Sequence, residues 1–175
     1  MAHSQRSDMD RIDAILENYE RDLKKATEGQ CKKINRSTEF RESFKKEYYE
    51  TYLRKLRELT EKLAAKGHQA EIKEASPEEA HYGFSLALIP RHLLSPPIDR
   101  FHPFHLRSSI SFVANEHTLT VDIETDINPN LETGERSSIE KIPRRQFNEE
   151  IMMQKIGEFL ESVFNETILL DFRQI

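Results

Sequence analysis

LRSSISFVANEHTLTVDIETDI, residues 106–127, alternates apolar and polar side chains on both sides of Asn115-Glu116, the signature of two half-buried strands joined as a hairpin. With Asn115-Glu116 as a two-residue turn, Phe112 faces Leu119, Ile110 faces Val121 and Ser108 faces Ile123, so one side of the ribbon is apolar. The other side sets Ser111 against Thr120, Ser109 against Asp122, Arg107 against Glu124 and His105 against Asp126. A ribbon with one wet side needs a second layer over its dry side.

The flanking segments supply that layer and further strands. In HYGFSLALIP, residues 81–90, Tyr82, Phe84, Leu86 and Leu88 share a face and Pro90 ends the strand. HQAEIKEA, residues 68–75, reads as a short edge strand. Residues 128–146 read as loop, broken by Pro129, Gly134, Ser137, Ser138 and Pro143. A helix then starts with Asn148 as cap, Glu149 and Glu150 in the first turn, and Phe147 placed to staple onto Met152. Its stripe of Ile151, Met152, Ile156, Phe159, Leu160 and Val163 is expected to cover the sheet, and TILLDFRQI, residues 167–175, either extends it or adds a strand.

The first 66 residues carry helical periodicity instead: Ile12, Leu16, Tyr19, Leu23, Ala26 and Ile34, then Phe44, Tyr48, Tyr52, Leu56, Leu59 and Leu63. Ser7 is placed to cap the start and Lys66-Gly67 to stop the end. Pairs such as Glu17/Arg21 and Glu58/Lys62 mark a face that stays in water. Between Gly29 and Thr38 the stripe fades, which predicts two helices, about 8–34 and 38–66, folded back as a hairpin with Tyr19 near Leu53 and Leu16 near Leu56. One unbroken helix pairing with a second chain as a coiled coil is the alternative. The expected architecture is therefore α+β: a helical hairpin or coiled coil over 1–66, and over 67–175 a domain with an antiparallel sheet of about three to five strands and a C-terminal helix.

Composition narrows the function. Ten Phe and five Tyr supply a core, although charged residues make up 33% of the chain. The single Cys31 rules out an internal disulfide framework, no apolar run reaches the length of a membrane span, and no secretory core is seen near Met1, which together predict a cytoplasmic protein. Residues 1–66 hold 16 Lys and Arg against 13 Asp and Glu, a balance of +3, while residues 67–175 hold 10 against 18, a balance of −8. That acidic second part argues against non-specific nucleic-acid binding.

Three constellations carry chemistry. His92, His102 and His105, with Asp99, are acceptable ligands for a transition metal, but Pro103 holds the two close histidines in extended chain rather than on a helix turn. Asp122, Glu124 and Asp126 alternate along one strand and project from one side, as a divalent-cation hydrolase requires; a solvated strand face has the same pattern. Lys24, Lys25, Lys32, Lys33 and Arg36 offer a polyanion contact without interleaved aromatics. No nucleophile motif, Walker loop or Rossmann fingerprint is present, and no cofactor is expected. The reading is a non-enzymatic interaction or assembly module, meeting a second copy or another protein through its helical region; the alternative is a metal- or small-ligand-binding protein or hydrolase using the face around His105, Asp122, Glu124 and Asp126.

Overall fold

A computed structural model describes residues 2–76, 79–94, 107–127 and 136–171, with side chains from residue 14 to 166 in those ranges, apart from 136, and at residue 12. Helix α1 spans Ala2–Glu47, continues through a π turn at Tyr48–Tyr52, and passes into helix α2 at Leu53–Ala65. Strands β1 (Gln69–Glu74), β2 (Gly83–Ile89), β3 (Ser108–Asn115), β4 (Thr120–Ile127) and β5 (Arg136–Pro143) follow, then helix α3 (Glu149–Asp171). The strands form one antiparallel meander in chain order.

The expected hairpin in the first 66 residues is absent, because Gly29 to Thr38 is helical throughout. Thr27 and Thr38 donate their hydroxyls to the carbonyls of Leu23 and Ile34, at 2.8 and 3.1 Å, so both side chains are satisfied within the helix. A single Gly29 costs about 1 kcal/mol against Ala, too little to break a long helix. The helix also begins at Ala2, ahead of the expected cap at Ser7. Its stop is as expected: Gly67 adopts φ 85°, its N–H bonds Ala64 O at 2.9 Å, and His68 N–H bonds Leu63 O at 3.0 Å.

The chain forms two compact units, Met1–Glu39 and Phe40–Ile175. In the second, Phe40, Phe44, Tyr48, Tyr52, Leu56 and Leu63 join the inward residues of β2, β3 and β4 and the α3 stripe in one core. Phe84 sits at its centre, stacked on Tyr48 at 4.7 Å, Phe112 at 5.2 Å and Phe44 at 5.8 Å between ring centroids. Apolar residues four apart drift by about 40° per step around an α-helix, so the run Phe40, Phe44, Tyr48, Tyr52, Leu56 would wind off the sheet. The π turn accommodates an extra residue and returns Tyr52 and Leu56 to the buried side.

The β3–β4 register differs from expectation by four residues. Phe112 faces Ile123, Ser111 faces Glu124 and Ser109 faces Asp126. The connection is a four-residue turn, 116–119, rather than a two-residue one. Asn115 Oδ1 accepts the N–H groups of His117 and Thr118 at 3.2 and 3.3 Å, and Leu119 takes φ 56°. A shift of four is even, so every residue that stays in a strand keeps its face; Leu119, expected opposite Phe112 on the apolar side, instead lies in the turn and is exposed. Within the expected loop 128–146 lies β5, whose Ile142 faces the core beside Val121 while Ile139 stays exposed. Asn148 caps α3 as expected, accepting Ile151 N–H at 2.9 Å, and Phe147 and Met152 are both buried in the core.

Candidate functional site

The outer face of the sheet carries the acidic row. Asp122, Glu124 and Asp126 share this side, with the backbones of residues two apart on the strand separated by roughly 7 Å. Asp122 is occupied: it accepts from Asn115 Nδ2 at 2.9 Å and Thr120 Oγ1 at 2.7 Å, with Lys141 Nζ at 3.9 Å. Arg107 was expected opposite Glu124 and instead donates to Glu71 at 2.8 Å. No group of three or more metal-ligating side chains occurs among the described residues. Glu124 and Asp126 border an open depression of about 390 Å³ together with Ser109 and Ser111, which were expected on this face, and Ser137 and Ser138, which were read as loop because β5 was missed.

Of the histidine constellation, only His92 lies among the described residues. His102, His105 and Asp99 lie outside the described residues, so the expected pairing of His105 with Asp126 does too; the structure sets Asp126 opposite Ser109. His92 is half-buried beside His68, whose imidazole is held below its usual range by burial and by the nearby Arg91 and His92. His68 Nδ1 accepts Arg91 N–H at 3.2 Å, so it acts as a structural acceptor.

A tyrosine–glutamate cluster beside the π turn had no sequence signal. Tyr49 donates to both oxygens of Glu74 at 2.6 and 2.7 Å, and Tyr82 donates to Glu74 at 3.0 Å. Burial, then Glu74, pushes the Tyr48 hydroxyl up to about 12; burial, then Glu74, raises Tyr82 as well. Tyr52 is raised by burial and then by its bond to Glu47, which also pairs with Arg144. Hydroxyls held protonated are poor nucleophiles, and a carboxylate carrying two hydroxyl donors is a poor base. The cluster fastens β1 and β2 to the helix.

The first unit has a different character. Lys24, Lys25, Lys32, Lys33 and Arg36 are exposed; at about 100° per residue Lys25, Lys32, Lys33 and Arg36 fall within roughly 100° of one another, and Lys24 lies about 80° outside them. Ile12, Ile15, Leu16, Tyr19 and Leu23 fall within a stripe roughly 100° wide, and each is 48–63% exposed. Ile34, 64% exposed, continues the same side. Ile15 belongs to this stripe although its spacing falls outside the seam read from sequence. No helix among the described residues is long and apolar enough to cross a membrane. No protein-family model, curated protein or solved structure matches this chain.

Proposed function

We propose that the chain is a protein–protein interaction module whose contact surface is the apolar stripe of α1 between Ile12 and Ile34. The carrying observation is the exposure of six large apolar side chains on one side of a helix in a chain whose other apolar stripe is buried. Isolated exposed apolar residues are ordinary, but a contiguous row at helical spacing is what a helix-in-groove or coiled-coil contact uses. Burying each such side chain contributes roughly 1.5–3 kcal/mol, enough in sum to hold a partner after the cost of association. A photo-crosslinking residue at position 23, introduced in the source cell, is expected to yield a discrete adduct that Leu16→Ser/Tyr19→Ser abolishes. A uniform monomer with no adduct contradicts the proposal.

The depression on the sheet supports a second reading, a small-ligand or cation site using Glu124, Asp126 and the four serines. Elemental analysis after equilibration with divalent cations tests it: bound metal that is lost in Glu124→Ala/Asp126→Ala is expected, and none bound to the parent chain disposes of it.

A further inference from the structure

The charges beside the stripe say what kind of partner fits. Ile12, Leu16, Tyr19, Leu23 and Ala26 repeat at alternating steps of four and three, the heptad seam of a two-stranded coil. At about 100° per residue, Glu20 and Asp22 lie roughly 80° to either side of its centre, where the flanks of a facing helix arrive. Arg21, Lys24 and Lys25 all lie about 120° or more from that centre, beyond reach of a partner seated on the seam. Glu20 and Asp22 are exposed and enter no ion pair among the described residues, so both remain available to an incoming cation.

A second copy gains nothing from this arrangement. In a parallel pair, Ile15 would face Glu20 of the other chain and Asp22 would face its Thr27; neither contact is attractive. In an antiparallel pair the Glu20 flanks face each other and so do the Asp22 flanks, setting like charges together. Gln30 and Lys33 take the next two seam positions after Ala26, so the apolar run ends at Ala26. We infer that the seam takes one helix of a different protein, amphipathic and carrying Lys or Arg on both sides of its apolar face. This rests on the interaction reading above and narrows it to a basic, heterotypic partner. Tyr19, 63% exposed in the middle of the seam, is the expected anchor.

The test uses the full chain and two synthetic helical peptides with identical leucine seams, one flanked by Lys and one by Glu. By fluorescence anisotropy the Lys-flanked peptide is expected to bind at least about tenfold more tightly at low salt, with the preference shrinking as salt rises. Glu20→Lys/Asp22→Lys should invert the preference, and Leu16→Ser/Leu23→Ser should bind neither peptide. Equal binding of the two peptides, or an unchanged preference after charge reversal, overturns the inference. Self-association of the free chain in sedimentation, abolished by Leu23→Ser, also overturns it while leaving the interaction reading intact. Failure to bind either peptide, with sedimentation unchanged across all variants, overturns both. So does binding to phosphatidylcholine vesicles that Leu23→Ser removes, since the stripe would then serve a lipid surface.

Discussion

Residues 12–34 and residues 40–63 lie in one continuous run of helix and each carries a stripe of large apolar side chains, yet the first stripe is exposed and the second is buried. Leu23 is 52% exposed while Leu56 is 0% exposed. The two stripes differ in spacing and in size. The first runs four-three-four-three, the period of a coil between two helices. The second runs in fours through Phe40, Phe44, Tyr48 and Tyr52, is rich in aromatics, and needs a π turn to stay against a sheet. Amphipathicity alone therefore identifies a face that seeks cover; spacing and side-chain volume indicate whether a sheet of the same chain supplies it.

The largest expected difference is in stability. Phe44 is 0% exposed and its ring meets those of Tyr52, Tyr82, Phe84 and Phe147, so Phe44→Ala should cost about 3–5 kcal/mol. Leu23→Ala, at an exposed position, should change stability by no more than about 0.5 kcal/mol. Urea unfolding of both variants measures this, and similar losses would erase the distinction between the stripes.

Alkali should act on the second stripe alone. Tyr48, Tyr52 and Tyr82 all have hydroxyls raised above the ordinary tyrosine value by burial. A raised value in the folded state contributes stability that is fully present below the unfolded value of about 10 and is lost as pH rises through the folded value. Stability should therefore fall from about pH 10 upward, with the decline continuing through about 12 for Tyr48. Phenolate absorbance of these three rings should appear together with unfolding. Their free titration in a still-folded chain would contradict the burial described for them.

A smaller effect is expected at the end of α2. Gly67 holds φ 85°, which an L side chain adopts only with strain, so Gly67→Ala should cost about 1–2 kcal/mol in thermal unfolding. A neutral result would mean that the stop does not depend on that conformation.

Much of this was legible in the residues. The facing of β3 and β4 could be read from period-two alternation, because an error of four residues in register leaves every side chain within the strands on its own side, although it moves Leu119 from the apolar face into the turn. The register itself could not, since a four-residue turn stabilised by the Asn115 side chain competes with a two-residue turn, and Asn-Glu does not mark either strongly. β5 was hidden because an edge strand depends on backbone pairing with β4, and Ser137, Ser138 and Pro143 suggest loop when seen alone. Gly29, Asn35, Ser37 and Thr38 suggested a break for the same reason: each is a weak helix former, but nothing local forces the chain to turn. Of the candidate sites, the common facing of Asp122, Glu124 and Asp126 was readable, whereas the Asn115 and Thr120 bonds that occupy Asp122 depend on tertiary register. The Glu74 cluster joins Tyr49 of the π turn, Glu74 of β1 and Tyr82 just before β2, and no spacing announces it.

Native-state hydrogen exchange on the full chain distinguishes a helix with one buried and one waiting stripe from a helix that is uniformly held. A helical segment without tertiary cover is marginal in water, so amides from residue 16 to 30 should exchange by local fraying, orders of magnitude faster than those from 44 to 56, which should open only with global unfolding. Adding the Lys-flanked peptide should slow the first group and leave the second unchanged. Equal protection of both groups in the free monomeric chain would contradict the account.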